Sequence, residues 1–331
     1  MNKKNWLFIF LACTLTLTFN ACKKSDDSDT TDTGPTEWFQ SSAFIEDPRS
    51  NAAYFQIGET GYVVGGLLKN NTVLNDAYSF SNEQWAPIAD FPGEPRHSAV
   101  GFAVNGKGYV GLGYNGTSAL SDFYEYDPAA DAWTEITTTL PSNSARYGAV
   151  AFALGNYGYV GLGATETGKS LVDTYRFNPT TKSWENVPNK FKSKRVNAFA
   201  FVIGNKAYIG GGTDNGQFPS DFFSFDGENW NELNTLNRSD DDYTYDITRH
   251  STSTFAIGNY GYVVGGRKNS VLGNVWKYDP ASDSWTDKHQ AFLGSYREGA
   301  VSFSIGGKGY VATGMNGTSK FDDTWEFVPV R

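Results

Sequence analysis

In the stretch HSAVGFAVNG, residues 97–106, small and larger side chains alternate with the period of a half-buried strand, and Asn105-Gly106 marks a hairpin turn. KGYVGLG follows as a second strand. DFYEYDP, closed by Asp127-Pro128, predicts a third, and AWTEIT a fourth. Four short strands in about forty residues cannot bury both faces of the sheet they form, so this unit needs neighbours.

The neighbours are copies of itself. Six arginines each precede a tyrosine by thirteen residues: Arg49/Tyr62, Arg96/Tyr109, Arg146/Tyr159, Arg195/Tyr208, Arg249/Tyr262 and Arg297/Tyr310. A glycine stands seventeen residues after each arginine, at Gly66, Gly113, Gly163, Gly212, Gly266 and Gly314. Next comes Asp76, Asp122, Asp173, Asp221, Asn274 or Asp323, which we read as turn formers opening an aromatic-x-aromatic strand. The first five units then carry Trp85, Trp133, Trp184, Trp230 and Trp285. Successive arginines lie 47 to 54 residues apart, the period of a radial or stacked repeat. The sixth unit stops short of its tryptophan, but Trp38 precedes Arg49 by eleven residues, as Trp85 precedes Arg96. The strand around Trp38 is therefore expected to complete the sixth unit and close a ring.

GYVVGG, GYVGLG and AYIGGG, with YDPAADAW and YDPASDSW, resemble the kelch repeat from about Trp38 to the C-terminus. The resemblance implies an all-β, six-bladed β-propeller with four-stranded blades. The Gly-His and Trp-Asp marks of a WD40 propeller are missing.

Composition sharpens this. Glycine (36 residues) and aromatic residues (16%) fit turns and strands, and the net charge of −9 argues against a nucleic-acid partner. The two cysteines, Cys13 and Cys22, both lie near the N-terminus, so the body can supply no thiolate nucleophile or disulfide. With three histidines, a His/Cys zinc site is not expected, and we expect no metal or cofactor. Galactose oxidase also carries kelch units, but its copper-radical chemistry needs a Tyr–Cys crosslink that this body cannot form.

The N-terminus reads as an address. Lys3 and Lys4 precede an apolar run from about Trp6 to Phe19, and Phe19-Asn20-Ala21-Cys22 resembles a bacterial lipobox. This predicts a signal peptide over 1–21, lipidation of Cys22, an acidic tether over 22–35 and the propeller over 36–331. Lys23-Lys24-Ser25-Asp26-Asp27 resembles the export signals of outer-membrane lipoproteins, so cell-surface display is expected, with the periplasmic face as the alternative. The membrane partner is then the lipid on Cys22, and the protein is expected to be a monomer.

Candidate chemistry gathers where the resemblance places the propeller mouth. The residue after each repeated arginine is Ser50, His97, Tyr147, Val196, His250 or Glu298. Loops after the second-strand glycines offer Lys69, Asn70, Tyr114 and Asn115, then Thr165 and Asp214, then Arg267, Lys268 and Asn316. Aromatics among mixed polar groups suit a glycan or a peptide. The preferred reading is a non-catalytic, envelope-anchored binding protein using this mouth. The alternative is an acid–base sugar enzyme resembling a sialic-acid mutarotase, with Glu298 and His97 or His250 moving protons. A structural envelope scaffold is the third reading. Asp240, Asp241 and Asp242 could attract Ca²⁺, but no calcium-loop spacing is present and a solvated loop is preferred.

Overall fold

The alternation of residues 97–137 builds one antiparallel sheet. Val100–Val104 pairs with Lys107–Gly111, which pairs with Phe123–Asp127, which pairs with Ala132–Ile136. The computed structural model describes residues 37–138, 140–141, 145–188, 191–239 and 243–329. The predicted signal, Cys22, the whole of the predicted tether and Thr36 lie outside them, as do Asp240, Asp241 and Asp242. No helix occurs among the described residues.

The same meander recurs from Val150–Leu154 to Ser183–Asn186, from Phe199–Ile203 to Trp230–Glu232, and from Ser253–Ile257 to Ser284–Thr286. In the first blade, Ala53–Ile57 is the inner strand and Gln84–Pro87 the outer; between them Thr60–Leu68 and Val73–Ser81 run to nine residues each. The last blade runs from Val301–Ile305 through Lys308–Ala312 to Thr324–Val328, and its outer strand is Glu37–Gln40. Trp38 stands opposite Phe327, as Trp85 stands opposite Phe80 and Trp133 opposite Tyr126. Their rings are 4.9, 4.8 and 4.8 Å apart. The first residues of the fold therefore complete its last blade, and the ring closes with six blades.

Aromatic side chains hold neighbouring blades together. Phe102 stacks on Tyr109 at 5.1 Å, and its ring fills the space over Gly158 of the next blade, where an added Cβ would collide with it. Phe55 sits over Gly108 in the same way, Phe201 over Gly261 and Phe255 over Gly309. Phe303 over Gly61 makes a fifth such contact, and the fourth blade has Ala207 in place of the glycine; burying each ring is worth roughly 1.5–3 kcal/mol.

The repeated arginines are almost wholly buried, at 0–3% exposure. Arg96 Nη1 donates to the carbonyl of Leu112 at 3.1 Å, and Nη1 and Nη2 grip both oxygens of Asp122 at 2.7 and 2.8 Å. Arg49, Arg146 and Arg297 hold Asp76, Asp173 and Asp323 by the same fork, and Arg195 pairs with Asp221. The conserved-spacing aspartates are thus more than turn formers: they are counter-ions to buried guanidinium groups, which cannot give up their charge. Burial alone would raise the Asp173 and Asp323 carboxyls, yet the arginine pairing outweighs it and holds both below the ordinary value.

Two further rings stitch the blades at the mouth. The glycine seventeen residues after each arginine donates its N–H to the next blade's arginine carbonyl, as Gly113 does to Arg146 and Gly314 to Arg49, both at 2.8 Å. Its φ is positive in all six units (95° at Gly113), a conformation that glycine adopts without steric cost. Two residues after each arginine, Asn51, Ser98, Gly148, Asn197, Ser251 and Gly299 also have positive φ. Their N–H and C=O groups form a closed circle of six bonds between 2.8 and 3.1 Å, each blade donating to the one before it and the first to the last. The loops that carry the candidate site stand on this circle.

Candidate active site

The residue after each arginine pairs in antiparallel fashion with the residue after the repeated glycine: Ser50 with Leu67, His97 with Tyr114, Tyr147 with Ala164, Val196 with Thr213, His250 with Arg267 and Glu298 with Met315. Both sets of sequence-predicted positions therefore share one face, at the mouth. Below it the lumen is narrow. A cavity of about 170 Å³ is bordered by Tyr54, Gly101, Ala151, Ala200 and Thr254. Tyr54, the one large side chain at that repeat position, also borders a second cavity of about 310 Å³ toward the opposite face, with Gln56 and Ser302.

One side of the mouth is charged. Glu298 is 6% exposed, and its Oε1 accepts from Arg267 Nε at 2.6 Å. Its other oxygen lies 3.9 Å from His250 Nδ1, which also contacts Ser251 Oγ at 2.9 Å. That leaves Nε2 as the histidine nitrogen open to a ligand. Burial pushes the His250 pKa below its ordinary value; Glu298 opposes the shift and Arg267 adds to it. The imidazole is therefore neutral at pH 7. Phe218 lies against His250 with ring centroids 6.1 Å apart.

The other side is aromatic. Tyr114 meets His97 and Tyr147 edge to face, each at 5.7 Å, and His97 Nδ1 contacts Ser98 Oγ at 3.0 Å. Burial lowers the His97 pKa, and the charge of Lys320 lowers it further. Lys320 reaches in from the last blade, hydrogen-bonded to Ser50 Oγ and 3.3 Å from Met315 Sδ. Burial lowers its own pKa, while Glu298 pulls in the opposite direction. Lys320 thus lies between the two sides.

The structure gathers His250, Arg267 and Glu298 into one cluster, and His97, Tyr114 and Tyr147 into another. It does not bring in the loop-tip residues. Asn115 donates to Glu94 at 2.6 Å and caps its own turn. Asp214 closes a turn with Gln217, Asn316 one with Ser319, and Lys268 pairs with Asp246 at 2.8 Å. Lys69 and Asn70 line a separate rim cleft. Sequence reading missed Lys320 and Phe218 because it followed only the outgoing arm of each loop; both stand on the returning arm, where the repeat has no marker residue.

Comparison with known proteins bears on what this mouth does. Residues 159–293 match the family model described as the KLHDC2/KLHL20/DRC7 Kelch-repeats domain. Curated proteins named N-acetylneuraminate epimerase are similar over short stretches. The Yersinia enterocolitica protein is 47% identical over 64 residues, 17% of this chain and 16% of its own. The Pasteurella multocida protein is 36% identical over 95 residues, 27% of this chain and 24% of its own. The chain thus aligns with at most about a quarter of the length of these relatives. A solved chain titled "Structure of YjhT" superposes with a TM-score of 0.69 over 86% of this chain and 96% of that one; at 18% identity this supports the fold alone. The names of the relatives overturn the expectation of a non-catalytic binding protein. They favour an enzyme, and the sugar-directed acid–base alternative in particular.

Proposed function

We propose that this chain, a six-bladed kelch-repeat β-propeller, interconverts the anomers of free N-acetylneuraminate, or of an acidic sugar of the same form, on the charged side of its mouth. The observation that carries the reading is the buried carboxylate of Glu298, clamped by Arg267 beside a neutral imidazole. Anomer exchange requires a base to take the proton of the anomeric hydroxyl. An acid must protonate the ring oxygen as the ring C–O bond breaks and the carbonyl forms. The open keto form then rotates and closes on its other face, with the two protons returned.

Neutral His250, through Nε2, takes the first proton. Glu298 stabilises the imidazolium that results, since its charge favours the protonated ring. Lys320, an ammonium whose pKa burial has lowered, supplies the proton to the ring oxygen. Arg267 spends its Nε on Glu298, which leaves its two terminal nitrogens as a flat, two-pronged donor for the sugar carboxylate. Tyr114, Tyr147 and His97 offer the apolar face against which a pyranose ring packs. The test is the anomer exchange rate of N-acetylneuraminate by NMR. We expect exchange far above the uncatalysed rate with catalytic amounts of protein, and an unchanged rate would reject the assignment.

We place this activity at the cell envelope, on a lipid tether through Cys22, because the residues before the propeller carry the signal and lipobox pattern. A Cys22→Ser protein that still partitions into membranes after signal removal would refute the anchor.

A further inference from the structure

Two hairpins rise above the mouth where the first and last blades meet. One is the tall first-blade hairpin, whose nine-residue strands continue past the bulge between Val64 and Gly66 to carry Lys69 and Asn70 at its tip. The other is the small hairpin of Met315–Asn316 with Ser319–Lys320. Between them, over Asp47 and Pro48, lies a cleft of about 680 Å³. Its walls are Leu68, Lys69 and Asn70 on one side and Ser319 and Lys320 on the other. Lys320 belongs to cleft and mouth together: it lines the former and sits in the fields of Glu298 and His97 in the latter.

The geometry points to this cleft as a second subsite, which receives an acyclic polyhydroxyl substituent of the acidic sugar whose ring lies at the mouth. The assignment rests on the proposed function for the identity of the ring. A tail leaving the ring beside Lys320 enters directly between the two hairpins. There it meets an amide, a hydroxyl, a carboxylate and an ammonium: Asn70, Ser319, Asp47 and Lys69. Such a set donates to and accepts from vicinal hydroxyls, while Leu68 and Pro48 cover the carbon chain. The tip of the tall hairpin is held in place without a ligand. Asn70 Oδ1 accepts from Thr72 N–H at 3.1 Å, and Leu68 N–H donates to Thr72 C=O at 2.9 Å. Lys69 and Asn70 are therefore specificity residues for the tail and stand apart from the proton-transferring groups.

The experiment compares two probes on the full chain. One is N-acetylneuraminate. The other is its tail-shortened analogue, made from a methyl glycoside of the sugar by periodate cleavage of the glycerol-like side chain and borohydride reduction, then freed by acid hydrolysis of the glycoside. Saturation-transfer NMR on the unmodified protein should label tail protons as well as ring protons. In Lys69→Ala/Asn70→Ala the tail signal should vanish and the ring signal persist. Affinity for the full sugar should fall about tenfold, the size of one to two lost hydrogen bonds, and affinity for the shortened sugar should not change. The single variant Lys69→Ala leaves the Asn70 turn intact and should give a smaller loss in the same direction. Equal effects on both probes, no tail labelling, or no binding of either sugar would overturn the subsite. Binding with tail labelling but without anomer exchange would keep the subsite and refute the catalytic reading.

Discussion

The second and fifth blades place a histidine at the same repeat position, immediately after the buried arginine, and surround it differently. His97 sits against Tyr114, which in turn meets Tyr147, and in the field of the Lys320 ammonium, whereas His250 sits beside Glu298 and Arg267. The frame beneath them differs as well. Arg96 grips both oxygens of Asp122, but Arg249 faces Asn274 with one bond at 2.7 Å and turns Nη2 to the carbonyl of Asp246. Its Nε has no hydrogen-bond partner among the described residues, and burial lowers its pKa to about 10. The blade that carries His250 and Arg267 has an asparagine in place of the aspartate with which the other five arginines pair. A repeat thus supplies equivalent backbone positions, and function is written into the departures from it.

The largest effect expected from this contrast is on catalysis. His250→Ala should lower the anomer exchange rate by about 10²–10⁴-fold, the usual contribution of a general base, while His97→Ala should change it by less than about tenfold and chiefly through KM. Equal losses would erase the distinction between the two sides. Because burial holds His250 below 6.5, activity should stay level through neutral pH and fall only as pH drops below that value. The acid limb should shift in Arg267→Gln, whose charge opposes imidazolium formation.

The frame gives the next effect. Asp122→Asn converts the second blade's fork into the fifth blade's arrangement and should cost about 1–3 kcal/mol in unfolding free energy, measured by denaturant titration. The reverse change, Asn274→Asp, should stabilise by a smaller amount, since Asp246 and Asp287 already act on Arg249. A larger gain than loss would mean the two arginines are not equivalent frame elements.

The smallest effect is on stability against pH. Both histidines have folded pKa values below 6.5, so between the lowered values and 6.5 the unfolded chain binds more protons than the folded one. Their contribution is fully present above pH 6.5 and is lost as pH falls through that window. Replacing either with alanine should flatten the dependence over that range.

Most of the frame was legible in the residue spacing. The arginine, glycine and tryptophan positions gave six blades, and the eleven residues between Trp38 and Arg49 gave the closing strand, because contacts within a blade are short-range and recur. The arginine–aspartate fork was not legible. Its members are 26 or 27 residues apart, and an aspartate opening a strand has the same sequence signature whether it forms a turn or balances a charge. The closed circle of backbone bonds under the mouth leaves no side-chain trace at all, since Asn51, Ser98 and Gly148 share only a positive φ. The site fared similarly. His250, Arg267 and Glu298 were named individually, but they come from two blades and carry no common motif. Lys320 was invisible because only folding brings its hairpin over Ser50. The reading as a non-catalytic binding protein was overturned by the names of the relatives, which no residue spacing in the chain discloses.

The central claim is that the buried carboxylate at the head of the last blade drives proton transfer at the mouth. Glu298→Gln keeps the shape and removes the charge, so the measurement is the NMR anomer exchange rate of N-acetylneuraminate with this variant, alongside its thermal unfolding. The account predicts a loss of at least about a hundredfold with the fold intact. An exchange rate within about threefold of the unmodified protein would contradict it.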